Sequence, residues 1–284
     1  MTITSAPATI VEKPLSPRIG AEIHGVDLRH ELSDQTIAEI RDALLRRKVI
    51  FFRDQRITTA QHIAFARRFG ELEIHPATPK TQEHPEVLFI AHGPDSRGRE
   101  NNWHSDVTWR EAPSLGSVLR AREVPDVGGD TLFADMEAAY EGLSPAMKDW
   151  VCTLTATHDI ARVFAGRLGK TPEELHAKYP PQHHPVVRTH PETGRRSLYV
   201  NTGFTTHIDG LSPKESDWLL AHLYSQATLP EYQCRFVWQA DSIAFWDNRS
   251  CQHYAASDYF PAPRVMERVT VAGSKPYFDP AMPA

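Results

Sequence analysis

From about Pro85 to the C-terminal region the chain is a succession of short runs rich in β-formers: EVLFIAH, NWHSDVTW, GSVLRAREV, DTLFADM, HPVVRTH, RSLYVN, CRFVWQ, DSIAFWD and RVMERVTVAG. Turn chemistry separates them, as at Val127-Gly128-Gly129-Asp130, and His190-Pro191-Glu192-Thr193-Gly194 joins VVRTH to RSLYV as a hairpin. Many short strands with Gly/Pro turns predict a sandwich or jelly roll, because an alternating βαβ sheet would need a helix between successive strands. The expected fold is therefore mostly β with decorating helices, and residues 1–284 are read as one domain.

The helices carry their own signals. Ser33 is a good N-cap for a helix with Ile37, Ile40, Leu44 and Leu45 on one face, and the VIFF that follows reads as a buried strand. TAQHIAFARRF predicts a second helix that stops at Gly70. Thr171-Pro172-Glu173-Glu174 and Ser212-Pro213-Lys214-Glu215 each combine a hydroxyl cap, proline at the first helical position and glutamate at the third. Residues 1–17 read as a loose arm or an edge strand. The segment 160–184, most polar between 164 and 183, reads as an insertion over the mouth of the barrel.

Composition narrows the function classes. A formal charge of −5 provides no basic field for nucleic acid or an anionic membrane, so an anionic ligand has to be caught locally. No run approaches 18 apolar residues, and the N-terminal stretch lacks a basic segment leading into an apolar core. Cys152, Cys234 and Cys251 are odd in number and form no CxxC pair, which argues against a disulfide framework or a Cys-based zinc site and favours the cytoplasm.

The chemistry is concentrated in "NNWHSDVT". If this is a strand, His104 and Asp106 point to the same face, as an ordinary hydrogen-bonded pair or as two ligands. A second setting, Phe245-Trp246-Asp247-Asn248-Arg249-Ser250-Cys251-Gln252-His253-Tyr254, reads as a strand, a polar turn and a return led by His253. Two imidazoles and one carboxylate on one side of a metal would suit a ferrous ion that also binds a co-substrate and O2. On the closing strand Arg264, Met266 and Arg268 share a face, and two inward arginines call for anions. The other histidines, His158, His183, His184, His190 and His207, read as surface or singly bonded groups, and Arg120 to Glu123 as a solvated strand face.

On WHSDVT, GGDT (128–131), HPVVRTHPETG, VNTGFTT (200–206), WDNRSCQHYA and RVMER (264–268), the chain resembles the taurine dioxygenase (TauD)/TfdA-like family of Fe(II)- and 2-oxoglutarate-dependent dioxygenases over nearly its whole length. The resemblance implies a double-stranded β-helix (jelly roll) core, with His104, Asp106 and His253 as iron ligands. It implies Thr131 and Arg264 on the far carboxylate of 2-oxoglutarate, and His75, Val107, Phe204 and Arg268 around the substrate. With O2, such an enzyme would hydroxylate the carbon next to the acid group of a small organosulfonate, releasing an aldehyde and sulfite. Alkyl sulfates and aryloxyalkanoates are the alternative substrates, and a homo-oligomer is expected. Where taurine-specific members carry aromatics this sequence has Thr78 and Ile160, which implies a differently shaped pocket, and His75 reads equally as a surface histidine. A zinc hydrolase and a non-catalytic anion-binding jelly roll are the readings from other classes.

Overall fold

The computed structural model describes residues 10–75, 78 and 82–282. Its spine is a seven-stranded sheet with the spatial order Val11–Pro14, Ala21–His24, Val49–Phe52, Ile243–Asp247, Gly116–Glu123, Arg264–Val271 and Val87–His92. Neighbours are antiparallel except for Ala21–His24 beside Val49–Phe52. Facing this sheet is a three-stranded one, Gln233–Phe236, Thr131–Asp135 and Cys251–Ala255, also antiparallel. The two sheets form the jelly-roll core.

Side-chain alternation explains the layers. In VIFF, Val49 and Phe51 point between the sheets, whereas Ile50 and Phe52 point to the outer face. Phe51 stacks on Phe236 of the facing sheet with ring centroids 4.0 Å apart, and Phe133, Trp246 and Met266 fill the same interior. The outer face is covered by helices Asp34–Arg47 and Thr59–Arg67, whose Ile40, Leu44 and Phe65 meet Phe52, Phe245 and Val269. Ser33 caps the first helix as expected, accepting from Thr36 N at 3.1 Å. That helix stops at Lys48, which adopts φ 63° and buries its ammonium between Asp135 (3.0 Å) and Glu137 (3.1 Å).

The capping boxes at Thr171 and Ser212 open helices Pro172–His176 and Pro213–Gln226. The hairpin pairs Val187–Thr189 with Arg196–Leu198. Helices Met136–Glu141, Pro145–Val151 and Ala161–Leu168 were not expected, although Ser144-Pro145 carries the same hydroxyl-proline start signal. Two expectations fail. NWHSDVTW is not a strand: it makes a single β-bridge at His104 and then turns through residues 106–109, with Val107 at φ 49°. Arg120 is not solvated but 3% exposed, because Glu267 (3.4 Å) and Asp241 (2.8 Å) neutralise it.

Phe245 lies in the middle of the outer core, edge-on to Phe69 at 4.8 Å. Phe245→Ala should lower the unfolding free energy by about 3–5 kcal/mol, read from the urea midpoint and slope.

Candidate active site

Two backbone segments bring the chemistry together. His104 N donates to His253 O (3.1 Å) and His253 N donates to His104 O (2.8 Å), so the loop carrying His104 and Asp106 is pinned to the strand carrying His253. The imidazole rings lie 4.2 Å apart, and one ligand atom from each of His104, Asp106 and His253 falls within 4.8 Å of the others, a spacing that can hold one metal ion. His104 and Asp106 share a site because the chain turns there, with no strand alternation involved. The positive φ of Val107 is strained for a β-branched residue, and it sits one residue past the carboxylate.

Hydrogen bonds orient the donor set. His104 Nδ1 lies 2.8 Å from Asn102 O and so carries the proton, leaving Nε2 as the free donor atom, 3.9 Å from Asp106 Oδ1. Asn248 clamps the loop: its Oδ1 accepts from Asp106 N (2.6 Å), and its Nδ2 donates to Asp106 O (2.9 Å) and Ser114 O (3.2 Å). Ser117 Oγ donates to Asp106 Oδ2 at 3.3 Å. A Cβ at Gly203 would stand 3.1 Å from His104 Cβ, so the glycine lets this turn approach the ligand closely.

Burial pushes the Asp106 carboxyl up, but Arg268, His253, His104 and the Ser117 hydroxyl outweigh it and hold the group well below the usual carboxylate range. Burial, reinforced by His104 and Arg268 against the pull of Asp106, pushes His253 down to about 3. Both residues therefore stand at neutral pH in the protonation states a divalent metal requires.

Arg264, Met266 and Arg268 line one cavity with His104, His253 and Thr131, as their common strand face predicts. Arg264 is 5% exposed; its Nε donates to Gly129 O (3.2 Å), while its Nη2 has no hydrogen-bond partner among the described residues. Gly129 sits at φ 72°, and a Cβ there would press on Arg264 Cδ at 3.2 Å, so the glycine leaves room for the arginine side chain. Thr131 Oγ1 accepts from Trp238 Nε1 at 2.9 Å. A buried guanidinium with an unused donor beside a hydroxyl is fit to receive a carboxylate.

Arg268 differs from the expectation. Its Nη1 donates to Asp106 Oδ1 at 3.0 Å, so the protein itself supplies an anion for this arginine. It also lines a second, smaller pocket with His75, Val107 and Asp106. His75 is pushed down to about 4 by burial, with Arg268 and Arg110 adding to the effect. Val107 and Phe204 belong to one apolar cluster with Ile160, Ala161 and Leu175, against which Phe164 and Tyr179 pack. Segment 160–184 thus turns an apolar face to the site. It is held by His176 Nε2 on Asp159 Oδ2 (2.8 Å) and by Arg167 Nη2 on Arg99 O (2.7 Å). Thr78 is buried nearby in sequence, and its neighbours 76–77 and 79–81 lie outside the described residues.

Three of the remaining histidines are buried rather than superficial: His158, His184 and His190 are each at most 1% exposed, and His190 Nε2 meets Asp247 Oδ2 at 3.0 Å. The residues that sequence reasoning did not single out are Asn248, Ser117 and Asn102. Asn248 was inside the quoted WDNR run, and only the fold gives it a partner.

A jelly roll that gathers two imidazoles and a carboxylate beside a buried, under-bonded arginine defines a mononuclear non-haem iron enzyme that uses a keto-acid co-substrate. The family model described as "Taurine catabolism dioxygenase TauD, TfdA family" matches residues 12–270, and the chain belongs to that family of 2-oxoglutarate-dependent dioxygenases, which use Fe(II), 2-oxoglutarate and O2. It is 39% identical to an alkylsulfatase of Acinetobacter baylyi, over 92% of this chain and 84% of that protein. It is 38% identical to an alpha-ketoglutarate-dependent sulfate ester dioxygenase of Pseudomonas putida, over 93% and 89%. The crystal structure of a taurine dioxygenase from Burkholderia xenovorans superposes with a TM-score of 0.84 at 40% identity, covering 97% of this chain and 93% of that one.

Two outcomes are expected. Asn248→Ala should weaken Mn(II) binding by about 10- to 100-fold, since it removes the clamp on the Asp106 loop while keeping His104, Asp106 and His253; titration calorimetry reads this. In the metal-free protein, His253 (down to about 3) and His184 (pushed to about 4 mainly by burial) bind protons less readily than in the unfolded chain. Stability contributed by their neutral forms is full above about pH 6.5 and is lost as pH falls towards about 4, so urea midpoints should drop steadily from pH 7 to 4.5.

Proposed function

We propose that the chain hydroxylates the carbon next to the acid group of an organic sulfonate or sulfate ester whose remaining carbon chain is apolar. In this reading His104, Asp106 and His253 hold Fe(II). Arg264 and Thr131 hold the far carboxylate of 2-oxoglutarate, and Arg268 with His75 receives the substrate anion while Val107 and Phe204 wall its carbon. When bound, the iron and 2-oxoglutarate supply the oxidising power of O2, with succinate and CO2 as co-products. The side chains contribute the rest: Arg264 fixes the keto acid, Arg268 fixes the substrate's acid end, and the apolar walls hold its carbon in place and exclude water. A sulfonate hydroxylated at that carbon breaks down to an aldehyde and sulfite, and a sulfate ester to an aldehyde and sulfate.

The observation that carries the choice of substrate is the state of the carboxylates on the Arg268 side. Glu73 is paired with Arg110, Glu86 with Arg67 (3.0 Å) and Asp106 with Arg268. The ammonium of taurine would therefore meet neutralised acids and the apolar group of Val107, Ile160, Phe204 and Phe164, which suits methylenes instead. The sulfatase and sulfate-ester relatives support the same direction. Segment 160–184 serves as the cover of this pocket. The reading also carries forward a homo-oligomer and a cytoplasmic setting, the latter supported by the free thiols of Cys152, Cys234 and Cys251.

The test is substrate-dependent succinate release with hexyl sulfate, hexanesulfonate, taurine and phenoxyacetate. At about 0.8 kcal/mol per buried CH2, the extra carbons of a hexyl chain should raise kcat/KM over taurine by roughly two orders of magnitude. Ion chromatography separates sulfate from sulfite and so decides between ester and sulfonate. Turnover of taurine at the higher rate would refute the apolar-chain reading.

A further inference from the structure

We infer that Arg268 couples the metal to the substrate anion: its guanidinium is the counter-ion of Asp106 until a divalent cation takes that carboxylate, and is then released to an anionic substrate. This rests on the reading that His104, Asp106 and His253 hold the cation and Arg268 meets the anion. The coupling itself comes from which oxygen is shared. Asp106 Oδ1 is the atom that faces His104 Nε2 at 3.9 Å, and it is also the atom bonded by Arg268 Nη1 at 3.0 Å. Its partner oxygen, Oδ2, is taken by the Ser117 hydroxyl. A cation arriving at Oδ1 therefore stands beside a guanidinium, and two positive charges draw on one carboxylate in a site where His104, Asp106 and His253 are each less than one-tenth exposed.

The arginine has few other acids to turn to. Glu73, which shares its pocket, is engaged by Arg110, and Glu86 by Arg67. Its Nε is buried and has no hydrogen-bond partner among the described residues. An anion entering between His75 and Val107 supplies the missing negative charge. Because Arg268 lines both that pocket and the one shared by His104, His253 and Arg264, one side chain senses both ligands. Linkage then makes the effect reciprocal: metal strengthens anion binding by the same factor as anion strengthens metal binding.

The probes are Mn(II), followed through the EPR signal of the free ion, and hexanesulfonate, with no turnover needed. In the unaltered protein saturating hexanesulfonate should tighten Mn(II) binding about tenfold, and saturating Mn(II) should tighten hexanesulfonate binding by the same factor. Arg268→Gln should bind Mn(II) alone about tenfold more tightly than the parent and lose the response to hexanesulfonate. Arg264→Gln removes a cation from the same cavity without touching Asp106 and should keep the response. Unchanged or weaker Mn(II) binding in Arg268→Gln, with His253→Ala abolishing it, would overturn the coupling and leave the ligand assignment standing. Mn(II) binding that survives His253→Ala would overturn the ligand assignment itself. Should Arg268→Gln not fold, the reciprocal pair measured on the parent decides alone, and a Mn(II) affinity indifferent to hexanesulfonate refutes the proposal.

Discussion

Two hydrogen bonds between the backbones of residues 104 and 253 hold the site in register. They join a loop with no regular structure of its own to the edge strand Cys251–Ala255 of the smaller sheet, across 149 positions of sequence. Everything chemical depends on that seam: the imidazoles face each other because of it, and Asp106 comes round to meet them because the chain turns just beyond it. Asn248, in the tight turn before the His253 strand, makes the same connection a second time through its amide. A donor set built this way is only as precise as the jelly roll that carries the strand, and there Phe133 and Trp246 pack against the His253 ring, with centroids 6.2 and 4.8 Å away.

Charge is distributed with equal care. Several buried cations here are matched to carboxylates: Lys48 to Asp135 and Glu137, Arg120 to Glu267, Arg249 to Asp247. Arg188 and Arg264 depart from this pattern: burial pushes both guanidiniums below their ordinary range and leaves donors unused among the described residues, but Arg188 lies over the Tyr199 ring while Arg264 lines the cavity of His104 and His253. The cavity position of Arg264, more than its lack of a carboxylate, is what fits it to the keto-acid role proposed for it. Arg268 stands between the two cases, matched to Asp106 yet placed where an incoming anion can reach it.

The readable parts of the sequence were those set by local rules. Runs of β-formers between turn residues identified most strands from Val87 to Val271 but not Thr155–His158, Gln182–Pro185 or Thr205–Ile208, hydroxyl and proline signals placed the helix starts at Asp34, Pro172 and Pro213, and a period of two put Arg264 and Arg268 on one side. His104 and Asp106 were assigned to a strand because Val, Thr and Trp crowd that segment, but its neighbours bond it only at His104, and Asn248 holds the rest as a turn. The apolar face of 160–184 was not legible for a similar reason: its polar residues dominate the count, while Val163, Phe164 and Leu175 find apolar partners only once Val107 and Phe204 are in place. Arg120 looked solvated because nothing local announces Glu267, 147 residues away.

By itself, then, the order of amino acids determined the architecture and the strand face that bears both arginines, since each follows from periodicity or turn chemistry, and the resemblance of its motifs singled out the His104, Asp106 and His253 that the fold brings together. The tertiary structure alone decided that Asp106 is reached through a turn, that Arg268 already has an anion, and that the acids near His75 are neutralised. Those are matters of which distant charges share a few ångströms of poorly solvated space, and Coulomb interactions of that kind depend on separation and burial, neither of which a linear pattern records.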